Sequence, residues 1–166
     1  MNRLHKIAYL LLLGTFSVFV ATVQSQSDDS TAVSATLDAL HENAAKADGK
    51  AYFALFTEDA VFLGTDATER WSVAEFKKYA MARFDAGTGW TYHNSSRYIY
   101  LSEDKKTAWF DETLTNENYG DCRGSGVLVK TGDAWKIAQY NLTIPIPNDL
   151  ARKVVTMIRE QEKKLP

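Results

Sequence analysis

The chain has 166 residues, of which 45% are hydrophobic, and its formal net charge is −2. This length suits one compact domain with its own core rather than two domains. The slightly acidic balance gives no electrostatic basis for binding nucleic acid, so we expect no nucleic-acid partner.

The first 25 residues have the pattern of a secretory signal peptide. Basic residues precede an uncharged, mostly apolar run over residues 7–23, and Val23 and Ser25 suit a cleavage site before Gln26. A retained membrane anchor is the alternative, but the run is short for a bilayer span and no basic cluster follows it. The sequence therefore predicts an exported protein, periplasmic or secreted, with no membrane partner after cleavage.

Three helices are predicted in the first half of the remaining chain. Apolar residues recur at helical spacing from Val33 to Ala44, which predicts an amphipathic helix. A short second helix is predicted over residues 50–56. The third begins where Ser72 and Glu75 form a capping box, and we expect it to end near residue 84.

From residue 90 onward the hydrophobic period changes to two, which predicts β-strands. Runs rich in aromatic and β-branched residues cover residues 90–101, 107–115, 122–130 and 134–144. Short connections make these strands antiparallel neighbours, and an earlier short strand is predicted over residues 60–66. Prolines end the last strand, and an amphipathic helix is predicted over residues 149–166.

Helices followed by an antiparallel meander indicate the α+β class. The expected architecture is a cone-shaped, curved antiparallel sheet, or half-barrel, with three helices packed on its concave face, plus the C-terminal helix. The domain is expected to cover residues 26–148.

The register of the strands decides which side chains line the cone. A turn around Thr131 and Gly132 would place Ser125 opposite Gln139, and the alternate face carries small residues such as Gly124 that allow curvature. The concave side would then carry Trp109, Asp111, Thr113, Arg123, Ser125, Val127, Ile137, Gln139 and Asn141, with Trp90 completing a ligand pocket.

A carboxylate and a guanidinium in that row would have to be paired, hydrated or bound to a ligand, because an isolated buried charge is costly. Asp111 is accordingly the candidate base, with its pKa set by the balance of burial and the charge of Arg123. His93 is a second catalytic candidate, although a lone strand histidine is usually structural. The histidines lack metal-ligand spacing, so we expect no metal and no cofactor. Cys122 is expected to be a buried thiol, with an intermolecular disulfide as the alternative.

Residues 30–147 resemble the SnoaL-like branch of the nuclear transport factor 2-like superfamily. The resemblance lies in "YFALFTEDAVFLGTD", "ERWSVAEFKKY", "AWFDE" and "GSGVLVKTGDAWKIAQYNLTI" and in the order of elements. It implies an α+β cone around a pocket, often dimeric through the sheet, so a homodimer is the expected assembly. Members include ketosteroid isomerase, scytalone dehydratase and polyketide cyclases.

The resemblance also argues against a steroid isomerase mechanism. The general-base aspartate of that enzyme falls near Gly64 here, and its first-helix tyrosine falls near His41. His41 therefore enters only as a candidate for the pocket lining.

Two functions are compatible with the sequence. The first is an exported protein that binds a small amphipathic molecule in a cone-shaped pocket, extending to cofactor-free acid–base chemistry of the isomerase, dehydratase or cyclase type. The alternative is a non-catalytic dimerisation or interaction domain in which Asp111 and Arg123 form a structural pair.

Overall fold

The computed structural model describes residues 29–164, so the expected signal peptide over residues 1–25 lies outside the described residues. The helices are α1 (residues 29–45), α2 (Gly49–Phe53), α3 (Val73–Asp85) and α4 (Asn148–Glu162). The strands are β1 (Phe56–Leu63), β2 (Arg70–Ser72), β3 (His93–Leu101), β4 (Thr107–Asn116), β5 (Gly120–Thr131) and β6 (Ala134–Thr143). Within residues 29–164, no helix is long and apolar enough to span a bilayer.

The six strands form one curved, open sheet in the order β2-β1-β6-β5-β4-β3. Neighbouring strands are antiparallel except for β1 and β6, which run parallel with Val61 opposite Gln139. The predicted α+β cone is confirmed, while the short edge strand β2 and the parallel pair were not predicted. A parallel pair requires a long connection, and here everything from β2 to β5 lies between its two strands.

The sequence signals for α3 correspond to real contacts. Ser72 Oγ accepts a hydrogen bond from the backbone N–H of Glu75, and Ser72 N–H donates to Glu75 Oε2 at 2.9 Å. These two bonds satisfy backbone donors at the start of the helix, which is why the helix begins there.

Helices α1, α2 and α3 cover the inner face of the sheet and build one core. The α1 residues Val33, Leu37, Leu40 and Ala44 are all buried. The inner face of β4, β5 and β6 carries Ala108, Phe110, Glu112, Leu114, Cys122, Gly124, Gly126, Leu128, Trp135, Ile137, Tyr140 and Leu142. Cys122 is buried with a free thiol.

The facing predicted for these three strands is wrong. Gly132, with φ of +61°, and Asp133 form the turn, so Thr131 pairs with Ala134. A register shift between Val127 and Leu128 adds one residue, so Ser125 pairs with Asn141 rather than Gln139. Because successive side chains of a strand point to opposite faces of the sheet, a one-residue error moves every side chain assigned to the inner face to the outer face. The outer face therefore carries Trp109, Asp111, Thr113, Arg123, Ser125, Val127, Gln139 and Asn141.

Ile137 is the exception, because the register shifts between the Leu128–Ile137 and Val127–Gln139 pairs. The extra residue, Ala138, reverses the facing of β6, so Ile137 stays in the core although Gln139 is exposed. Asp111 and Arg123 form no ion pair with each other among the described side chains. Their charges stand at the solvent-facing side of the sheet.

Candidate functional site

The inner face of the sheet contains one carboxylate, Glu112, at the centre of a hydrogen-bond network. Its side chain is 0% exposed. Oε1 accepts hydrogen bonds from His41 Nε2 at 2.8 Å and from Tyr140 Oη at 3.0 Å. Oε2 accepts from Asn94 Nδ2 at 3.1 Å and from Arg97 Nε at 2.9 Å. Buried charge is tolerated here because every lone-pair direction has a donor.

Arg97 connects this carboxylate to helix α1. Its Nη1 atom donates to the Ser34 carbonyl at 3.1 Å, to Ser34 Oγ at 2.8 Å and to Asp38 Oδ1 at 2.7 Å. Its Nη2 atom lies 2.8 Å from Glu112 Oε2 without the alignment of a hydrogen bond, so Coulomb attraction acts there. The network therefore holds α1 against β3 and β4.

The charge states in the network follow from these contacts. Burial raises the pKa of the Glu112 carboxyl, but the His41 hydrogen bond and the Arg97 charge outweigh it, so this pKa lies below its usual value. Burial, reinforced by the Glu112 charge, raises the pKa of Tyr140 well above its usual value, so Tyr140 remains a donor. Because an ionised carboxylate only accepts, His41 Nε2 carries its hydrogen.

The backbone of β5 makes room for the carboxylate. Arg97, Glu112, Gly124 and Leu142 stand opposite one another across β3, β4, β5 and β6. A Cβ atom at Gly124 would lie 2.5 Å from Tyr140 Oη and 2.7 Å from Glu112 Oε1. Any larger residue at this position would therefore displace the side chains of Glu112 and Tyr140.

A cavity of about 370 Å³ opens beside α3 at the mouth of the cone. One wall consists of nearly parallel rings: Phe62 and Phe76 stack with centroids 3.8 Å apart, and Trp71 stacks on Phe76 at 5.6 Å and on Tyr79 at 5.3 Å. Trp90, Tyr92 and Tyr119 also line this outer cavity. Its size falls within the range of small-molecule sites.

A second, smaller cavity of about 20 Å³ adjoins the first. The two share Phe62, Trp90, Tyr92 and Leu142, and the smaller one is also lined by Leu40, His41, Tyr52 and Tyr140. The inner cavity thus connects the outer cavity with His41 and Tyr140, the two residues that donate hydrogen bonds to Glu112 Oε1. Its volume suits one water-sized polar group.

One ring nitrogen of His41 is not used by the network. Its Nε2 atom is held by Glu112, whereas Nδ1 has no hydrogen-bond partner among residues 29–164. The ring lies 6.4 Å from that of Tyr92 and 6.3 Å from that of Tyr140, centroid to centroid, so aromatic packing limits its rotation. Whenever the ring carries a single hydrogen, on Nε2, its Nδ1 atom is an acceptor.

The structure places the predicted site residues in three locations. Trp90 lines both cavities, and His41 lines the inner one. Ile137 is in the core, and His93 is exposed on β3 and lines neither cavity. The outer-face row, Asp111 included, does not reach either cavity.

Sequence reasoning missed Glu112, Tyr140, Asn94 and Arg97. A signal for Glu112 was available, since it alternates with Phe110 and Leu114 and so shares a face with two core residues. Asn94 and Arg97 carried no comparable signal, because a register shift between Asn94 and Ser96 interrupts the alternation of β3.

Residues 33–147 match the family model of the SnoaL-like domain. The chain belongs to the SnoaL-like domain family. This SnoaL-like chain is similar in structure to a candidate scytalone dehydratase from Novosphingobium aromaticivorans, with 16% identity over 75% of this chain and 89% of the other, and a TM-score of 0.63. It is also similar to a candidate aromatic ring hydroxylase from the same organism, with 19% identity, 72% and 91% coverage, and a TM-score of 0.60.

A third similar structure is a nuclear transport factor 2-like protein of unknown function from Pseudomonas putida. It shows 9% identity, covers 75% of this chain and 91% of its own, and has a TM-score of 0.61. At these identities the similarities establish the fold of the SnoaL-like chain alone. No curated protein matches it.

Proposed function

We propose that the protein binds a small amphipathic molecule in the outer cavity and performs cofactor-free acid–base chemistry at His41. The observation that carries this proposal is the His41 Nε2–Glu112 Oε1 hydrogen bond of 2.8 Å at a ring that lines the inner cavity. A histidine oriented by a buried carboxylate is a common arrangement for a general base.

The two cavities together favour a particular ligand shape. The outer cavity has aromatic walls and a volume of about 370 Å³, which suits the apolar body of a ligand. The inner cavity, about 20 Å³, accepts a single hydroxyl or carbonyl oxygen. A ligand that fills both would present one polar atom toward His41 and Tyr140.

The proposed step is a proton transfer. A ligand hydroxyl, or a carbon acid next to a carbonyl group, releases its proton to Nδ1 of His41, and the electron pair of the broken bond stays on the ligand. The imidazolium that forms is stabilised by ionised Glu112 through Nε2. The same proton returns to the ligand at a second atom for isomerisation, or leaves with a hydroxyl group as water for dehydration.

A non-catalytic binding or interaction domain is the second candidate. One observation favours it: Arg97 already joins Glu112 to Ser34 and Asp38, so the network is a sufficient structural link between α1 and the sheet. On this view His41 serves stability, and the cavity holds a ligand without converting it.

The binding part of the proposal is tested by native mass spectrometry of the protein purified from the exported fraction of its own host. We expect an extra mass of a few hundred daltons that is lost on denaturation. The same spectrum tests export, since cleavage before Gln26 gives a chain without residues 1–25. A full-length chain would contradict the proposed processing, and an unliganded chain that also fails to bind 1-anilinonaphthalene-8-sulfonate would contradict the pocket.

The chemical part is tested with two matched histidine variants, His41→Asn and His93→Asn. Proton NMR in D2O follows deuterium exchange into a panel of enolisable aromatic ketones. We expect exchange above background with the wild-type protein and with His93→Asn, and loss of at least 100-fold with His41→Asn. Equal exchange in all three proteins, or none in any while the naphthalene probe still binds, favours the non-catalytic candidate.

A further inference from the structure

Within residues 29–164, helix α4 is an amphipathic helix that takes no part in the buried core. None of its residues is buried, and Leu150, Met157 and Ile158 are 49%, 58% and 50% exposed. With Val154 they form the α4 stripe, at positions that recur every three or four residues. A helix of 15 residues is only marginally stable in isolation, so we expect this stripe to pack on a partner surface.

The outer face of the sheet is a second unpartnered surface. Tyr98, Tyr100 and Trp109, which we name the outer aromatic patch, are 59%, 48% and 47% exposed. Tyr100 and Trp109 stack with centroids 5.8 Å apart, and Val127 continues their row on β5. Helices α1, α2 and α3 lie on the other face, so nothing within residues 29–164 covers this patch.

The charges of the two parts have opposite sign. Residues 148–164 contain five Lys or Arg and three Asp or Glu, which gives a net charge of +2. Residues 29–147 contain twelve Lys or Arg and seventeen Asp or Glu, which gives a net charge of −5. The net charge of α4 is therefore complementary to that of the body on which we place it. A lipid surface is a poorer occupant, because α4 carries three acids and lacks the aromatic residues that anchor interfacial helices.

The connection between β6 and α4 separates the helix from its own sheet. Residues 144–147 form no helix or strand, and Pro145 and Pro147 restrict the backbone to extended conformations. Ile144 and Ile146 are 40% and 49% exposed on this connection. An extended connector is the usual route by which a terminal helix reaches a second copy.

We propose that the α4 stripe packs on the outer aromatic patch of a second copy of this chain. A two-fold axis makes the contact reciprocal, so both unpartnered faces are buried on both chains. This contact involves neither cavity, and it is independent of the function proposed above.

The first test is the mass of the purified protein in solution, by light scattering and sedimentation. We expect a dimer for the wild type, monomers for Ile158→Asp on the α4 stripe and Trp109→Asp on the patch, and a dimer for Thr156→Asp on the polar side of α4. A wild-type monomer overturns the proposal. So does a dimer that survives Ile158→Asp, since the sheet then associates without the helix.

The second test identifies the surface that α4 contacts. Met157 is replaced by the photo-crosslinker p-benzoylphenylalanine, and equal amounts of light and 15N-labelled protein are mixed, unfolded, refolded and irradiated. Crosslinked peptides that join position 157 of one chain to β3 or β4 of a chain carrying the other isotope label support the proposed contact between copies. Crosslinks only within one isotope show that α4 folds onto its own chain, and crosslinks to α4 alone show a helix pair; either overturns the proposal. Wild-type protein that is monomeric and co-sediments with phosphatidylglycerol vesicles overturns it in favour of a lipid surface.

Discussion

His41 Nε2 and Glu112 Oε1 lie 2.8 Å apart, which joins helix α1 to the middle of strand β4 across the core. This bond links the architecture of the cone to its cavities, because Glu112 is wholly buried while His41 lines the inner cavity. A change at Glu112 is thus transmitted to the histidine without any change in the cavity wall.

The first prediction concerns Glu112→Gln. This substitution removes the negative charge that balances buried Arg97 and places amide hydrogens among donors, so we expect a loss of about 3–5 kcal/mol in the free energy of unfolding. Urea denaturation at pH 7 measures it. The matched control is Asp111→Asn, the neighbouring position on the outer face, with an expected change within about 0.5 kcal/mol. Equal losses of unfolding free energy in the two variants would show that Glu112 is not the buried carboxylate that balances Arg97.

The second prediction concerns acid. Because the pKa of Glu112 in the folded protein lies below its usual value of 4.5, the unfolded chain binds this proton more readily. The stabilisation is therefore fully present above about pH 4.5 and is lost as pH falls through the folded pKa. Unfolding free energies of the wild type measured from pH 7 to pH 3 should fall in this window, and those of Glu112→Gln should fall less. Parallel pH profiles would contradict the assignment.

The third prediction concerns Gly124→Ala. The added methyl group would lie 2.5 Å from Tyr140 Oη and 2.7 Å from Glu112 Oε1, so these side chains must move apart. We expect a loss of about 1–3 kcal/mol, as for other overpacked cores. Thermal unfolding measures it, and Ser125→Ala on the outer face is the control, with little expected change. A fully stable Gly124→Ala protein would mean that the network tolerates expansion.

Sequence periodicity was sufficient for the fold class and for the main helices. The capping box at Ser72 and Glu75 and the α1 stripe beginning at Val33 were read directly, because they depend on local hydrogen bonds and on burial of one helix face. The parallel pairing of β1 with β6 was not predicted, since no local pattern encodes contact between strands more than 70 residues apart.

The facing of the strands was harder to predict, because both faces contain apolar residues. Trp109 and Val127 favoured one facing, and Phe110 and Leu128 favoured the other. The exposed outer patch was therefore mistaken for the interior. Gly124 was attributed to curvature, whereas it provides space for Glu112, a long-range requirement that the sequence alone does not show.

The fourth prediction concerns Tyr140→Phe. It removes one donor from Glu112 Oε1 and keeps the ring in the core, so the pKa of Glu112 should move back toward its usual value. We expect a loss of about 1.5–3 kcal/mol at pH 7, typical of a hydrogen bond to a charged group, and acid unfolding at a higher pH. Circular dichroism during acid titration checks both, with Tyr119→Phe as an exposed control. An unchanged acid midpoint would show that the hydroxyl contributes nothing to the charged state.

The fifth prediction separates the cavity from the fold. Tyr79 is 52% exposed and its ring stacks on Trp71 in the wall of the outer cavity, whereas Lys78 is an exposed neighbour on α3 that lines neither cavity. Because an aromatic contact contributes about 0.5–1.5 kcal/mol beyond its area, we expect Tyr79→Ala to weaken binding of 1-anilinonaphthalene-8-sulfonate about tenfold. Lys78→Ala should bind it like the wild type.

Thermal unfolding distinguishes a lost contact from a damaged fold in this pair. Lys78→Ala should leave the midpoint of unfolding nearly unchanged. Tyr79→Ala should cost only the contact of its ring with Trp71, about 0.5–1.5 kcal/mol, and should still unfold cooperatively. Weakened binding by a Tyr79→Ala protein that remains folded would locate the probe against the stacked rings. Equal affinity in both variants would place the probe elsewhere, on the α4 stripe or the outer aromatic patch, and would separate dye binding from the cavity.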